Sequence, residues 1–316
     1  MGQVIATVNM KGGVGKTTLT VNLATCLAKH YQKRVLVVDL DTQISASLSL
    51  MSPPDFAKRR KDKRTLRYLV NRVIKPDNPI KNQPILTVHD VIQPYIGNVK
   101  GLDLLPGDIE LYDEYLVSEM LHQKALREGQ SDFEQVWNSF ENILVRKVLQ
   151  PAIKDYDYII LDCAPGYNLL TRSGIIASDY YILPAKPEPL SLIGIQLLER
   201  RIKKLKESHE LNVPVTTQLM GIAFITSGGL LAGRYYRQVM QRVIEDFSPA
   251  QIFRTQIPID VNVSKAVDNF LPVVLTNPNT AGAKAFLQLT QEFLRKQEIL
   301  VGAKEQKTKL SLAELE

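Results

Sequence analysis

The sequence has little sulfur to build with. Two cysteines, Cys26 and Cys163, stand in 316 residues, too few for a disulfide framework. No uninterrupted apolar run approaches the roughly 18 residues that a membrane-spanning helix needs. The first residues, "MGQVIATVNM", lack a basic segment and an apolar signal core, so the chain is expected to stay in the cytosol. Internal repeats and low-complexity linkers are missing as well. Charge of one sign is not scarce, but its excess is small: the net charge is +6, a mild basic surplus compatible with a polyanionic partner and weak as a signal by itself. What remains is the composition of a globular protein, 45% hydrophobic and 23% charged, long enough to bury a sizeable core.

Short β-branched runs alternate with helical patterns. The strand candidates are "QVIATVN", "RVLVVDLD", "LDLLPG", "DYIILDC", "YYILPAKP", "MGIAFITS" and "QIFRTQIP". Most are continuously apolar, as strands covered on both faces are. Helical spacing appears between them, as at Leu19, Leu23 and Leu27. Strand followed by helix, repeated, predicts an α/β fold: a doubly wound, mostly parallel sheet flanked by helices. Residues 52–85 carry Pro53, Pro54, Pro76, Pro79 and Pro84 and read as a less regular, basic insertion. One domain over 1–296 is expected, with a polar, fraying tail over 297–316.

The segment "VNMKGGVGKTTLT", Val8 to Thr20, follows the first strand and opens a helix near Lys16. Gly15, Lys16 and Thr17 fit the end of a phosphate-binding loop. Gly12, Gly13 and Gly15 let the backbone turn sharply and bring N–H groups to phosphate oxygens, and the helix start adds partial positive charge. Lys16 is placed to neutralise the β- and γ-phosphates, the Thr17 hydroxyl to ligate Mg²⁺, and Thr18 to reach the α-phosphate. The loop departs from the common pattern: Met10 stands where the first glycine belongs, and a second lysine, Lys11, follows it. Asp39, Asp41 and Asp162 end apolar runs, where ligands bind in open α/β sheets. Thr17, Asp39 and Asp162 are the candidate magnesium group, with Asp162 in the role of a Walker B aspartate. One of Asp39 and Asp41 would orient the attacking water. The base is expected to be adenine, because no Asn-Lys-x-Asp or Thr-Lys-x-Asp segment for reading guanine occurs.

With these residues in view, the chain resembles the ParA/MinD family of deviant Walker-box ATPases, and most nearly its ParA-type partition and positioning members. "KGGVGKTTLTVNLATCLA", "RVLVVDLDTQISAS", "YDYIILDCAPGYNLLTRSGIIASD", "IPIDVNVSKAV" and "NTAGAKAFLQLTQEF" carry the resemblance, with Thr42 in place of the usual proline. The resemblance implies a P-loop NTPase fold and a Mg²⁺-dependent ATP hydrolase. Lys11 matches the signature lysine, which crosses an ATP-sandwiched homodimer to the other subunit's nucleotide. Lys11, Lys16 and Asp41 become the catalytic set, and Asp39 the switch partner of Asp41. The loop from Lys11 through Gly12, Gly13, Val14, Gly15, Lys16 and Thr17 to Thr18 becomes the nucleotide cradle, with Pro258 and Ile259 lining the adenine pocket.

ParA-type members bind duplex DNA without sequence preference and are stimulated by a ParB-like or cargo-adaptor protein. The resemblance therefore implies cytoplasmic, nucleoid-associated segregation or positioning of a cargo: a plasmid, a chromosome region or a protein organelle. Candidate DNA contacts are Arg200, Lys203 and Lys204 in "ERRIKKLK", and Arg234 and Arg237 after "SGGLLAG". Lys265 is a further candidate, with Asn262 where the family often has arginine. The run Lys58 to Arg67 is a second-choice surface for DNA or a partner. Three other classes share the loop. An electron-transfer protein needs exposed cysteines for an iron–sulfur cluster, and Cys26 and Cys163 both read as buried. Membrane positioning of the MinD type needs a basic amphipathic C-terminal helix, and this chain ends "KTKLSLAELE"; no stable membrane association is expected. A metabolic ATPase needs an added acid–base constellation, and none stands out.

Overall fold

Seven apolar runs of the sequence become seven strands of one all-parallel sheet. The structure is a computed structural model that describes residues 2–75, 85–210, 213–226 and 233–313; over 233–237 and 304–313 it describes the backbone alone. The strands are β1 (Gln3–Thr7), β2 (Val35–Leu40), β3 (Leu102–Leu105), β4 (Tyr158–Cys163), β5 (Tyr180–Ala185), β6 (Gln218–Thr226) and β7 (Ile257–Pro258). They lie in the order β3-β2-β4-β1-β5-β6-β7. Strands β2, β4 and β5 are buried along their whole length, which is why they show no polar alternation.

Thirteen helices cover the sheet within the described residues. Those that follow β1 and β2 are α1 (Lys16–Tyr31), α2 (Ser45–Leu50), α3 (Pro53–Lys61), α4 (Leu66–Ile74) and α5 (Val88–Val91). After β3 come α6 (Glu114–Arg127) and α7 (Phe133–Leu149), after β4 α8 (Leu169–Ala177), after β5 α9 (Pro189–Ser208) and after β6 α10 (Gly233–Asp246). The chain closes with α11 (Val261–Asp268), α12 (Val273–Thr276) and α13 (Ala281–Ala313). Alternate strand residues feed two cores. Ile5, Val35, Val37 and Ile160 meet Leu19, Leu23 and Leu27 of α1 and Phe286, Leu289 and Phe293 of α13. Val4, Ala6, Val38 and Leu161 meet α4, α7, α8 and α9 through Leu69, Leu144, Ile175 and Leu198.

One expectation changes. The segment from residue 52 to residue 74 is mostly helical, α3 and α4 with a four-residue turn between them, rather than irregular. Pro53 and Pro54 occupy the first helical positions of α3, where a missing N–H costs nothing, and the Ser52 hydroxyl accepts the Asp55 N–H at 3.3 Å as its cap. Leu66, Leu69, Val70 and Ile74 of α4 are buried in the main core. Pro76, Pro79 and Pro84 lie outside the described residues. The backbone of α13 runs as far as Ala313, into the segment 297–316 read from the sequence as a polar tail.

Candidate active site

Strand register brings the carboxylates together. Asp162 lies level with Thr7 on one side and with Asp39 on the other. Pleating turns Asp39 and Asp162 to the face that α1 covers, along with Val37 and Ile160. The Thr17 hydroxyl donates to Asp162 Oδ2 at 2.7 Å and the Thr20 hydroxyl to Oδ1 at 3.1 Å. Asp162 is fully shut from solvent. Burial lifts its carboxyl above the usual range, and the charge of Asp39 lifts it further.

The loop that leads into α1 is held open rather than closed on itself. Gly15 adopts φ 87° and ψ 24°, a left-handed conformation that costs glycine nothing. No side chain caps α1, whereas Asp113, Asp132 and Asn168 cap α6, α7 and α8. The first-turn N–H groups of α1 thus remain available to an anion. Asn9, buried, pins the loop's entry: its Nδ2 donates to the Pro184 carbonyl at 2.7 Å, and its Oδ1 accepts the Lys11 N–H at 2.9 Å. Lys16 folds over the loop and donates to the Lys11 carbonyl at 3.1 Å. Burial lowers its ammonium pKa, while Asp162 and Asp41 push the other way. Gly12 and Gly13 are exposed, and no atom lies within 4 Å of where a Cβ on either would stand. Uncapped N–H groups, a half-desolvated cation, and a hydroxyl beside a carboxylate together fit a polyphosphate with Mg²⁺.

Asp39 is the most enclosed of the expected magnesium group. Its Oδ2 accepts both the Ser47 N–H (2.8 Å) and the Ser47 hydroxyl (2.6 Å), and its Oδ1 accepts the Asp41 N–H at 3.2 Å. Burial raises its carboxyl pKa against these hydrogen bonds. The structure therefore brings Thr17 and Asp162 into contact, while Asp39 spends its oxygens on α2 and on the backbone of Asp41. Ser47 also accepts the Gly107 N–H at 2.9 Å, which ties the turn after β3 into the same knot. Asp41, itself buried, accepts the Gln43 N–H at 2.9 Å through Oδ1.

Lys11 stands at the mouth of the loop, exposed. Its ammonium meets Glu188 at 3.2 Å, with the two side chains 49% and 47% exposed. Thr17 and Thr18 are half-buried at the helix start, and Val14 is buried. Pro258 pairs with Thr226 of β6, and the neighbouring Ile225 side chain lies where a Gly15 Cβ would point. Pro258 and the exposed Ile259 thus sit one strand away from the loop. Arg200, Lys203 and Lys204 are exposed along α9, and Lys265 is exposed on α11. Arg234 and Arg237 belong to α10, but their side chains lie outside the described residues. Cys26 and Cys163 are buried, and burial pushes both thiols up, Cys26 to about 11. Asn9, Thr20, Ser47 and Glu188 escaped the sequence reading, because each is significant only through a partner far along the chain.

Known proteins are similar to this chain. Soj, the sporulation initiation inhibitor protein of Bacillus subtilis, is 29% identical over 92% of this chain and 98% of its own length. The chromosome partitioning protein ParA of Myxococcus xanthus is 26% identical over 94% of this chain and 89% of its own. The family model AAA_31, described as AAA domain, matches residues 2–215. The chain belongs to this family of ParA/MinD-type P-loop ATPases. The same fold occurs in cobyrinic acid a,c-diamide synthase of Mycobacterium smegmatis, solved with an ATP analogue and magnesium. That likeness has a TM-score of 0.66 at 23% identity, covering 93% of this chain and 95% of the other. Among the described residues of this ParA/MinD-type chain, no helix is long and apolar enough to cross a membrane.

Proposed function

We propose that the chain is a ParA-type ATPase: it forms an ATP-sandwich homodimer, binds duplex DNA without sequence preference, and hydrolyses ATP slowly until a ParB-like or cargo-adaptor protein stimulates it. We place it in the cytoplasm on the nucleoid, moving a plasmid, a chromosome region or a protein organelle. Residues 1–296 are taken as one ATPase domain. The carrying observation is Lys11. It stands outside its own loop, held by one exposed ion pair to Glu188, a kind of contact worth only about 0–1 kcal/mol. A lysine held so weakly is free to exchange Glu188 for the triphosphate of a second copy, where several negative charges meet and need a cation from each side.

The remaining roles follow from position. Gly12, Gly13, Val14, Gly15 and Thr18 cradle the phosphates through backbone N–H groups and the Thr18 hydroxyl. Lys16 leaves the Lys11 carbonyl for the β- and γ-oxygens. Thr17 and Asp162 hold Mg²⁺, which supplies charge neutralisation at the terminal phosphates. Asp41 accepts a proton from, and orients, the attacking water, while Asp39 keeps Asp41 in place. Pro258 and Ile259 border the adenine. Arg200, Lys203 and Lys204, with Arg234, Arg237 and Lys265, supply the contacts to DNA phosphates. The chromosome partitioning ParA relative supports partition over a metabolic role.

Lys11→Ala tests the reading. The variant should retain ATP binding by titration calorimetry and fail to dimerise in ATP by light scattering. A full ATP dimer from Lys11→Ala sinks the signature-lysine assignment.

A further inference from the structure

The basic run Lys58 to Arg67 does not form one surface. Arg60 turns to Asp108 and Glu110, at 3.4 and 3.3 Å, and Arg67 turns to Glu110 at 2.5 Å. Those two cations are neutralised inside the chain. Lys58, Arg59 and Arg64 turn the other way and line a cavity of about 420 Å³ between α3 and the turn at Ile96–Asn98. Among the described residues no ion pair closes on any of the three.

Arg59 is the pivotal group. One end of its guanidinium donates to the Ile92 carbonyl at 3.0 Å, which fixes the plane. Its Nε is buried and has no hydrogen-bond partner, which leaves the guanidinium incompletely satisfied within the chain. Two carboxylates, Asp55 and Asp62, also line the cavity, but Asp55 is already engaged by the Ser52 hydroxyl at 2.6 Å. Three cations against two carboxylates leave a positive balance. The opposite wall is Tyr95, 61% exposed and held in a left-handed conformation at φ 57°. Asp103 accepts its N–H at 3.0 Å and keeps it there. Gln93 adds a side-chain amide, and Leu50 and Met51 an apolar floor.

We propose that this cavity is a second ligand site, separate from the phosphate loop, for a small phosphate monoester carrying a planar group, of nucleoside monophosphate type. Arg59 and Arg64 would take the phosphate, since guanidinium forks match its oxygens. Tyr95 would stack on the planar group, and Gln93 would meet its edge. The volume falls within the range of small-molecule pockets, about 300–1,000 Å³.

The test is equilibrium dialysis of radiolabelled AMP against the full chain saturated with Mg-ADP, so that the phosphate loop is filled. One AMP per chain is expected, displaced by inorganic phosphate in excess. Arg59→Ala with Arg64→Ala should weaken AMP at least about tenfold, as expected on losing charge-assisted hydrogen bonds, and leave ADP affinity unchanged. Tyr95→Gly suits the left-handed backbone and so keeps the turn intact. It should weaken AMP and leave the competition by inorganic phosphate as it was. AMP binding that survives the double arginine variant overturns the site, as does no AMP binding at millimolar concentration. Displacement of AMP by duplex DNA but not by phosphate would give these cations to nucleic acid and overturn it too.

Discussion

Replacing Ser47 by alanine removes one hydroxyl that serves two neighbours. It donates to Asp39 Oδ2 at 2.6 Å and accepts the Gly107 N–H at 2.9 Å, all within a buried knot. A hydrogen bond to a charged group is worth about 1.5–3 kcal/mol, and an orphaned buried N–H costs about 1–3 kcal/mol. The two losses share one atom and do not simply add, so a destabilisation of about 3 kcal/mol is expected. With a urea dependence of about 3 kcal/mol per molar, the unfolding midpoint should fall by about 1 M at unchanged slope. Far-UV circular dichroism of the nucleotide-free chain measures it. Because part of the loss runs through the Asp39 charge, Ser47→Ala should cost less in an Asp39→Asn background, by about 1 kcal/mol or more. A midpoint shift below about 0.3 M, or strict additivity of the two substitutions, would refute the account of Asp39 as a carboxylate held by α2.

Gly15→Ala should lower ATP affinity at least about tenfold by calorimetry, since alanine at φ 87° costs about 1–2 kcal/mol and its methyl would meet Ile225. Asp41→Ala should bind ATP normally yet turn it over more slowly than the parent; parent-like turnover in a phosphate-release assay removes Asp41 from the mechanism. Burial raises the Asp39 and Asp162 carboxyls above the ordinary carboxylate range, and the Asp39 charge adds to the rise at Asp162, so in the window from the ordinary range up to the raised one the folded chain binds more protons than the unfolded one. Stability of the nucleotide-free chain from this pair is therefore greatest at the acid end and falls as pH rises through that window. Asp162→Asn should flatten the decline in urea midpoint. DNA binding in ATP should weaken with salt at a log–log slope of about −0.9 per phosphate contact. Neutralising Arg200, Lys203 and Lys204 together, or Arg234 and Arg237 together, should flatten that slope; equal anisotropy titrations in ATP and ADP would separate DNA binding from the nucleotide.

All seven strands were legible in the sequence, because strands covered on both faces are apolar without interruption. The last was read as too long: of "QIFRTQIP" only Ile257 and Pro258 form a strand beside β6, with one isolated bridge from Ile252 to Ile222 ahead of them. The prolines after residue 52 misled, since Pro53 and Pro54 start a helix and their ring-fixed φ favours that position. The phosphate loop was plain because its residues are consecutive. The environment of Asp39 was hidden, because Ser47 lies on a short helix of serines and leucines where nothing marks one hydroxyl from the next. The run Lys58 to Arg67 looked like a single charged face. Asp108 and Glu110, more than forty residues on, divide it.

The ends of the sheet limit how copies of this chain meet. At one end β3 is only four residues long, and its outer side is already occupied: Gln93 exchanges two backbone hydrogen bonds with Leu104, at 2.7 and 2.9 Å. At the other end β7 has two residues, too few to template a neighbour. Among the described residues the two end strands therefore offer a second chain little ladder to extend, which disfavours growth by adding strands, the route to open-ended fibres. Association is left to side chains on the helices and on the rim of loops beyond the strand ends, where its strength depends on what those loops hold.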